Sequence, residues 1–573
     1  MFLTNFLLKY ALLLLAFSAI VYAGYVQEDQ FGTGSTYCIC AGYANADSLI
    51  DFVTVNSSQT NYLYINNGNG FTETTPFIGQ NKEGCVAWAD FDNDGDMDIA
   101  EGNNYGVQDY LYINDGTGQF TRVPAFGADR WSASMAWGDC DNDGDLDLAL
   151  GTEQTPNSNP CENYLYVNNG DGTFTEYQRF GDMDTRTVAW FDVDLDGDQD
   201  LIACNNAQPS YLYINEGNYT FTEAFNFGDH HTISYAIGDL DNDGDLDLVN
   251  ANWNDYDYRF INNGNSTFTQ QQFGPTVVGE WHSYAASIAD CDNDGDLDYS
   301  VLVYASGGFT GQNYLYLNDG NGVFTRTEEF GDDYTRSGAW ADIDRDGDLD
   351  LAIGRPMFNQ LYTNNQNDTG GDGYLSIRLE GRFHDMGAGY SNRNGIGALV
   401  TVYEEGHCGD ENYRLGLRQV EAYGGIGGQN SIDIEYGLPN DDFVDIQVIW
   451  PGSGSTHIEE NWLSVESGQF LTLHEGEGVG IEQDTSTPIS SSSNLSISPN
   501  PSYGQTNIYF NLSEVSFVNV TLFDITGRAI KEIQTDLLNQ GEHSLLFNEI
   551  PPGIYLCQVQ SDFFTSSVKL IVL

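Results

Sequence analysis

Asp90-Phe91-Asp92-Asn93-Asp94-Gly95-Asp96-Met97-Asp98 is one of six copies of the pattern D-x-D-x-D-G-D-x-D, and its reading decides the fold. The others begin at Asp139, Asp192, Asp239, Asp290 and Asp342. A hard divalent cation needs several oxygen ligands, and a tight turn has to aim them inward. Carboxylates at positions 1, 3, 5 and 9 supply side-chain oxygens, position 7 can add its backbone carbonyl, and glycine at position 6 permits the bend. This spacing predicts about six calcium sites. Their residues are Asp90, Asp92, Asp94, Asp96 and Asp98; Asp139, Asp141, Asp143, Asp145 and Asp147; Asp192, Asp194, Asp196, Asp198 and Asp200; Asp239, Asp241, Asp243, Asp245 and Asp247; Asp290, Asp292, Asp294, Asp296 and Asp298; and Asp342, Asp344, Asp346, Asp348 and Asp350. Magnesium is the weaker alternative, because it keeps more of its water.

An EF-hand would need a bidentate acid at position 12 and a helix on each side. Position 12 is Glu101 once, then Leu150, Ala203, Asn250, Val301 and Ile353. The flanks, such as Ser134-Met135-Ala136-Trp137 and Leu146-Asp147-Leu148-Ala149-Leu150, are short, apolar or alternating, and read as strands. Each loop therefore joins two strands, and Asp98 and its counterparts close the ligand set.

The repeat is longer than its loop, with starts 47 to 53 residues apart. A strand enters the acidic loop and a second leaves it. A third follows the pattern Asn-Tyr-Leu-Tyr-Ile-Asn at 61–66, and a fourth begins Phe-Thr, with Asn-Gly or Asp-Gly hairpin turns between the last two. Four antiparallel strands repeated in tandem describe propeller blades. Third-strand copies number seven against six acidic loops. The first blade has Tyr43, Asn45, Asp47 and Asp51 at positions 1, 3, 5 and 9, so it is expected to bind metal weakly or not at all. The last blade lacks a fourth strand, and Val26-Gln27-Glu28-Asp29-Gln30-Phe31-Gly32 resembles one. The N-terminal segment is therefore expected to pair into the last blade and close the ring, removing exposed sheet edges.

The chain has 573 residues and a net charge of −66, and the loops hold thirty of its 85 acidic residues. That charge disfavours nucleic acid, whose binders need basic patches. Residues 1–23 read as a secretory signal: Lys9 precedes an apolar run from Ala11 to Tyr22, and Val21-Tyr22-Ala23 is a cleavage-like end. No later segment is apolar enough to span a bilayer. The nine cysteines are read as mostly small core residues, with pairing left open.

These repeats resemble the FG-GAP/VCBS family, the calcium-loop propellers of integrin α-subunits and many bacterial surface proteins. The resemblance covers about 25–370 and implies a seven-bladed β-propeller with calcium near one face. Residues 374–474 are strands between Gly-rich turns, including Gly424-Gly425-Ile426-Gly427-Gly428-Gln429 and Val448-Ile449-Trp450-Pro451-Gly452. They resemble the ASPIC/UnbV domain that follows such propellers in the cartilage acidic protein family, with Glu435-Tyr436-Gly437-Leu438 where that family often has His-Phe-Gly-Leu. A small β-sandwich docked on the propeller is expected there. Residues 475–494 read as a polar linker. Residues 495–573, with Ser498-Pro499-Asn500-Pro501, Asp524-Ile525-Thr526-Gly527-Arg528 and a final apolar run, resemble the type IX secretion C-terminal sorting domain. That resemblance implies a Gram-negative host, the type IX machinery as a partner, and a secreted or outer-membrane-surface location. The fold class expected is all-β: a seven-bladed propeller followed by two small β-sandwich-like domains.

Strand alternation puts the acidic loops and the hairpin turns on one face and the irregular loops on the other. Variable loops on a rigid scaffold are where binding usually lives. The fourth-to-first loops carry Lys82, Arg130, Trp131, Arg186, His230, His231, Trp281, His282 and Arg336, and should ring the central channel. They suggest a sugar or anionic ligand held by Arg, Trp and Tyr, unless each arginine pairs with a neighbouring acid such as Asp182 or Asp333. The reading is a secreted, calcium-stabilised protein that binds an extracellular glycan or protein and is not an enzyme. The alternative is a polysaccharide-active enzyme on a propeller. The sequence contains no G-x-S-x-G, H-E-x-x-H or P-loop motif.

Overall fold

The computed structural model of the chain describes residues 26–478 apart from 58, 78–83, 128–129, 155–160, 218, 274–281, 305–311, 331–333, 365–372, 384–389, 426, 439–442 and 452–457. It also describes 496–572 apart from 499–504, 513–517, 525–527, 535–540, 549, 552 and 562–564. The expected signal at 1–23, Lys82, Trp281, Asp333 and most of the 475–494 linker lie outside these residues.

The fold is all-β. Among the described residues, seven antiparallel sheets of four propeller strands follow one another, as in Thr185–Phe191, Asp200–Asn205, Tyr211–Asn215 and Phe221–Asn226. The first strand of each sheet packs against that of the next, and the series returns from Ser337–Ala341 to Thr36–Gly42. A closed ring of radial sheets is a β-propeller. Its last sheet is completed by Val26–Phe31, which pairs antiparallel with Asn359–Thr363, as expected. The blades interlock by size. Trp88, Trp137, Trp190 and Trp340 on the inner strands are all buried. A Cβ on Gly42 would lie 2.6 Å from Trp88, and one on Gly138 would lie 2.7 Å from Trp190, so each indole fills a space that the preceding blade leaves open.

Contacts divide the chain into two compact units, residues up to 457 with 463–475, and 458–462 with 476 onward. The first unit holds the propeller and the second domain together. The second domain stacks a three-stranded sheet, in which Gly373–Glu380 pairs with Ile434–Leu438 and runs parallel to Gln469–His474, with a sheet built on Leu399–Glu404, Arg414–Gln419 and Phe443–Trp450. The other unit carries a sandwich. One of its sheets holds Ser496–Ser498, Gln505–Leu512 and Gly541–Asn548, and the other holds Ala529–Gln534, Val518–Asp524, Gly553–Ser561 and Thr565–Val572. Ile508, Val520, Leu522, Cys557, Val559 and Leu570 form its core.

Candidate metal loops and a plugged channel

Five of the six acidic loops share one position-1 geometry, and in the sixth Asp290 accepts from Gly295 N at 3.1 Å. At position 1, the Asp90 carboxylate accepts from the backbone N–H of Asp94 (3.0 Å) and Gly95 (2.8 Å), which curls the loop around it. Asp139, Asp192, Asp239 and Asp342 do the same. Position 4 is left-handed in every copy, at Asn93, Asn142, Leu195, Asn242, Asn293 and Arg345, with φ from 56° to 63°. Asparagine tolerates that region, whereas Leu195 and Arg345 hold it at a cost.

Position 9 has a second role. Asp98 Oδ1 accepts from Asn114 N at 2.8 Å, and Asp147, Asp200, Asp247, Asp298 and Asp350 each accept from the backbone of their own third strand. In the first blade Asp51 keeps this clamp, accepting from Asn66 N at 2.7 Å and Ala44 N at 2.8 Å, although the position-1 acid there has become Tyr43. Position 7 looks sideways. Asp145, Asp198, Asp296 and Asp348 accept from the side-chain amides of Asn93, Asn142, Asn242 and Asn293 in the preceding blade, the last three at 2.6 Å. These side chains tie blade to blade.

What remains converges. One carboxylate oxygen from each of Asp90, Asp92 and Asp98 lies within 4.8 Å of the others, and the same holds for Asp139, Asp141 and Asp147, and for Asp192, Asp194 and Asp200. In two further loops the groups are Asp239, Asp241 and Asp243, and Asp290, Asp292 and Asp294. Asp98 Oδ2, Asp141 Oδ1, Asp241 Oδ1, Asp290 Oδ1 and Asp292 Oδ1 are buried without a hydrogen-bond partner. Burial pushes the Asp90 carboxyl up to about 7 and that of Asp98 up to about 9. Buried carboxylate oxygens aimed at one another without donors fit a hard divalent cation, which would supply the missing positive charge.

The second domain covers this same face. Asn394 Oδ1 accepts from Asp90 N (2.7 Å), and Arg393 N donates to Asn93 Oδ1 (2.7 Å). Gln419 Oε1 accepts from Asp192 N (3.1 Å) and Gly437 N donates to Asp290 Oδ2 (2.6 Å). Arg414 lies 3.7 Å from Asp239, and Arg418 lies 4.0 Å from Asp290. From there residues 421–425 and 427–431 descend into the channel. Tyr423 and Gly424 pair with Ala136 and Met135 as a fifth strand on the third blade. Gln429 exchanges backbone bonds with Ile39 and Ala41, and its amide bridges the backbone of Trp88. Asn430 and Ser431 bond to Trp340. Only glycine fits at Gly424, where a Cβ would fall 1.6 Å from Val86 O. A cavity of about 110 Å³ remains beside the plug, lined by Glu421, Gln429, Asp433 and Glu435.

The ligand-face residues do not all ring the channel as expected. Arg186, His282 and Arg336 lie at its mouth. Arg130 stacks on Tyr164 (3.8 Å) and donates to Tyr166 Oη (2.7 Å), and Trp131 packs on Tyr105 (4.6 Å). His230 pairs with Asp255 (3.0 Å) over Tyr258, and His231 is exposed. Arg130 and His230 are drawn outward because their ring partners Tyr164, Tyr166 and Tyr258 belong to third strands. Arg186 does pair with acids, Glu153 at 2.6 Å and Asp184 at 3.2 Å, rather than with the Asp182 the sequence suggested. Sequence reasoning missed the plug, although the run of four glycines in five residues at 424–428 was its visible signal.

The fold and its repeated acidic loops define a propeller of acidic-loop repeats, and the family comparisons name the repeat. FG-GAP-like repeats match residues 44–101, 102–150, 192–250, 239–301 and 290–353, and an FG-GAP repeat matches 334–377. The chain is an FG-GAP-repeat β-propeller protein with an ASPIC and UnbV domain at 388–480 and a secretion system C-terminal sorting domain at 496–573. That last domain marks it as a secreted or cell-surface protein handled by the type IX secretion system. No curated protein matches the chain. Among solved structures it is similar to BBS1N in complex with ARL6DN, at 10% identity over 60% of this chain and 98% of that one, with a TM-score of 0.43. It is similar to a mutant of the Aleuria aurantia lectin in complex with Fucalpha1-6GlcNAc, at 14% identity over 52% and 97%, with a TM-score of 0.34. Chaetomium thermophilum Raptor matches at 11% identity over 60% and 29%, with a TM-score of 0.40. Among the described residues no helix is long and apolar enough to cross a membrane.

Proposed function

We propose that this protein is a calcium-stabilised binding or adhesion protein of the cell exterior, which holds a glycan or protein ligand without turning it over. The observation that carries this reading is the asymmetry of the propeller. Its acidic-loop face is spent on the second domain, whose plug also fills the channel, so the opposite face is the one left to meet a partner. Calcium, held by the position 1, 3, 5 and 9 carboxylates, would brace the ring by neutralising clustered charge. Two carboxylates about 4 Å apart repel by roughly 4 kcal/mol at an effective dielectric near 20.

Metal analysis after equilibrium dialysis should find about six calcium ions per chain. A screen of glycans and extracellular-matrix proteins, with calcium and with chelator, should give a ligand retained only in calcium. Release of shortened products from a polysaccharide would replace the binding reading with the enzymatic one.

A further inference from the structure

We propose that the channel mouth opposite the acidic loops binds an acidic saccharide through Arg336 and a surrounding set of aromatic faces. This rests on the reading that the open face is the ligand face, and it names the site and the ligand chemistry.

The mouth is built by a repeated device. Inner strands of five blades carry a register shift at the same place, around Tyr37, Ala133, Arg186, Ile233 and Tyr284. A bulge adds a residue and re-aims its side chain. Arg336 holds the equivalent position before Ser337 in the last blade. Tyr37 and Tyr284, from non-adjacent blades, meet edge to face at 6.4 Å. Arg336 lies 5.7 Å from the Tyr37 ring centre and 5.2 Å from that of Tyr304. Trp253 stacks on His282 at 3.8 Å and 5°, and both Tyr284 and Tyr304 lie 5.9 Å from the indole. Tyr37, Trp253, Tyr284 and Tyr304 are all half-buried, so their faces are partly open. The plug closes the channel just below. Gly427 lies against Ser234 and Gly428 against Ser337, each one residue further along a mouth strand.

The charges differ in kind. Arg186 is neutralised by Glu153 and Asp184, while its buried Nε has no partner. Among the described residues Arg336 has no carboxylate in ion-pair range, and its Nη1 reaches Ser35 Oγ at 3.3 Å. With 85 acidic residues against 19 basic ones, a guanidinium held among tyrosine faces with no acid beside it among the described residues is poised for an anion from outside. Its flat fork suits a carboxylate or sulfate, and the flat rings suit the apolar face of a pyranose. The net charge of −66 and a mouth offering, among the described residues, a single acid-free guanidinium argue against a long polyanion such as a nucleic acid, which needs many basic contacts. A short acidic saccharide needs one such contact and meets only charges within the screening length of about 8 Å at physiological salt.

Calorimetric titration of the full secreted chain in calcium tests this, with oligogalacturonate as the carboxylated probe, chondroitin sulfate oligosaccharides as the sulfated probe and galacto-oligosaccharides as the neutral one. At least one acidic probe should bind, with the neutral probe about tenfold weaker or more. Arg336→Gln and Trp253→Ala should each weaken acidic-probe binding by about 10- to 100-fold, with melting in calcium unchanged. Arg179→Gln, on the outer strand, should leave binding unaltered. Equal binding of the neutral probe, or full affinity in Arg336→Gln, would overturn the proposal. If no saccharide binds but a matrix protein does, and Arg336→Gln leaves that intact, the mouth assignment fails while the binding function stands. If nothing binds in either screen, both fail.

Discussion

Tyr43 of the first blade donates its hydroxyl to Asp433 of the second domain, from the loop position where the other six blades carry their first aspartate. Arg378 completes the arrangement, bonding both Asp433 oxygens at 2.8 and 2.9 Å and lying 3.8 Å over the Tyr43 ring. Blade one has thus exchanged a metal ligand for a docking contact. Tyr43→Phe removes one bond to a charged acceptor and should cost about 1.5–3 kcal/mol, read as a lower denaturant midpoint in calcium. Tyr43→Ala should cost more, because the guanidinium also loses its aromatic platform. A midpoint for Tyr43→Phe equal to wild type would mean that Arg378 alone holds Asp433.

Gly424→Ala tests the plug. A methyl group placed 1.6 Å from Val86 O cannot be accommodated without moving the backbone of either blade or plug. The expected loss is about 3 kcal/mol, at the upper end for overpacking. It should show as new protease cleavage within 421–438 while the propeller keeps its calcium-dependent melting. An unchanged proteolytic pattern would show that the segment seats differently.

Chelation should lower the melting temperature steeply, since each site at a hundredfold excess over its dissociation constant contributes about 2.7 kcal/mol. Asn142→Ala separates the blade-to-blade tie from the metal. It deletes the 2.6 Å bond to Asp198, should cost about 1.5–3 kcal/mol, and should leave the calcium count unchanged. Loss of a calcium ion in that variant would show that Asp198 needs its asparagine to serve the site.

Glu421 gives a pH dependence with a definite sign. Burial raises its carboxyl from 4.5 to about 8 in the folded chain. The native state therefore holds a proton that the unfolded state releases, so this group's contribution is full below about 4.5 and is lost as pH rises through about 8. In saturating calcium, Glu421→Gln should flatten the decline of melting temperature across that interval. An identical slope in variant and wild type would show that other groups carry it.

The acidic loops, the ring and its closing strand were legible because each has a local signature: nine residues with fixed oxygen spacing, a hairpin motif repeated seven times, and a fourth-strand pattern standing at the wrong end of the chain. The roles of positions 4 and 7 were not legible. Asn142 and Asp198 lie 56 residues apart, and their bond depends on the distance between blades, which no single repeat encodes. The plug was hidden for a related reason. Gly424 and Gly428 are required by the backbones of Val86, Ile39 and Gly338, far away in sequence, and a glycine-rich run reads equally well as an ordinary turn. The separation of Arg130 from Arg336 came from strand bulges and neighbouring rings rather than from loop equivalence.

Val26–Phe31 is among the first described segments to be synthesised and the last to find its neighbour, since Asn359–Thr363 emerges more than three hundred residues later. Until then the toroid is open, and both of its loose edges invite pairing with a second chain. Such long-range closure is slow. The clasp therefore stays undone until the whole ring is available, and one short strand decides when the toroid becomes a single closed body.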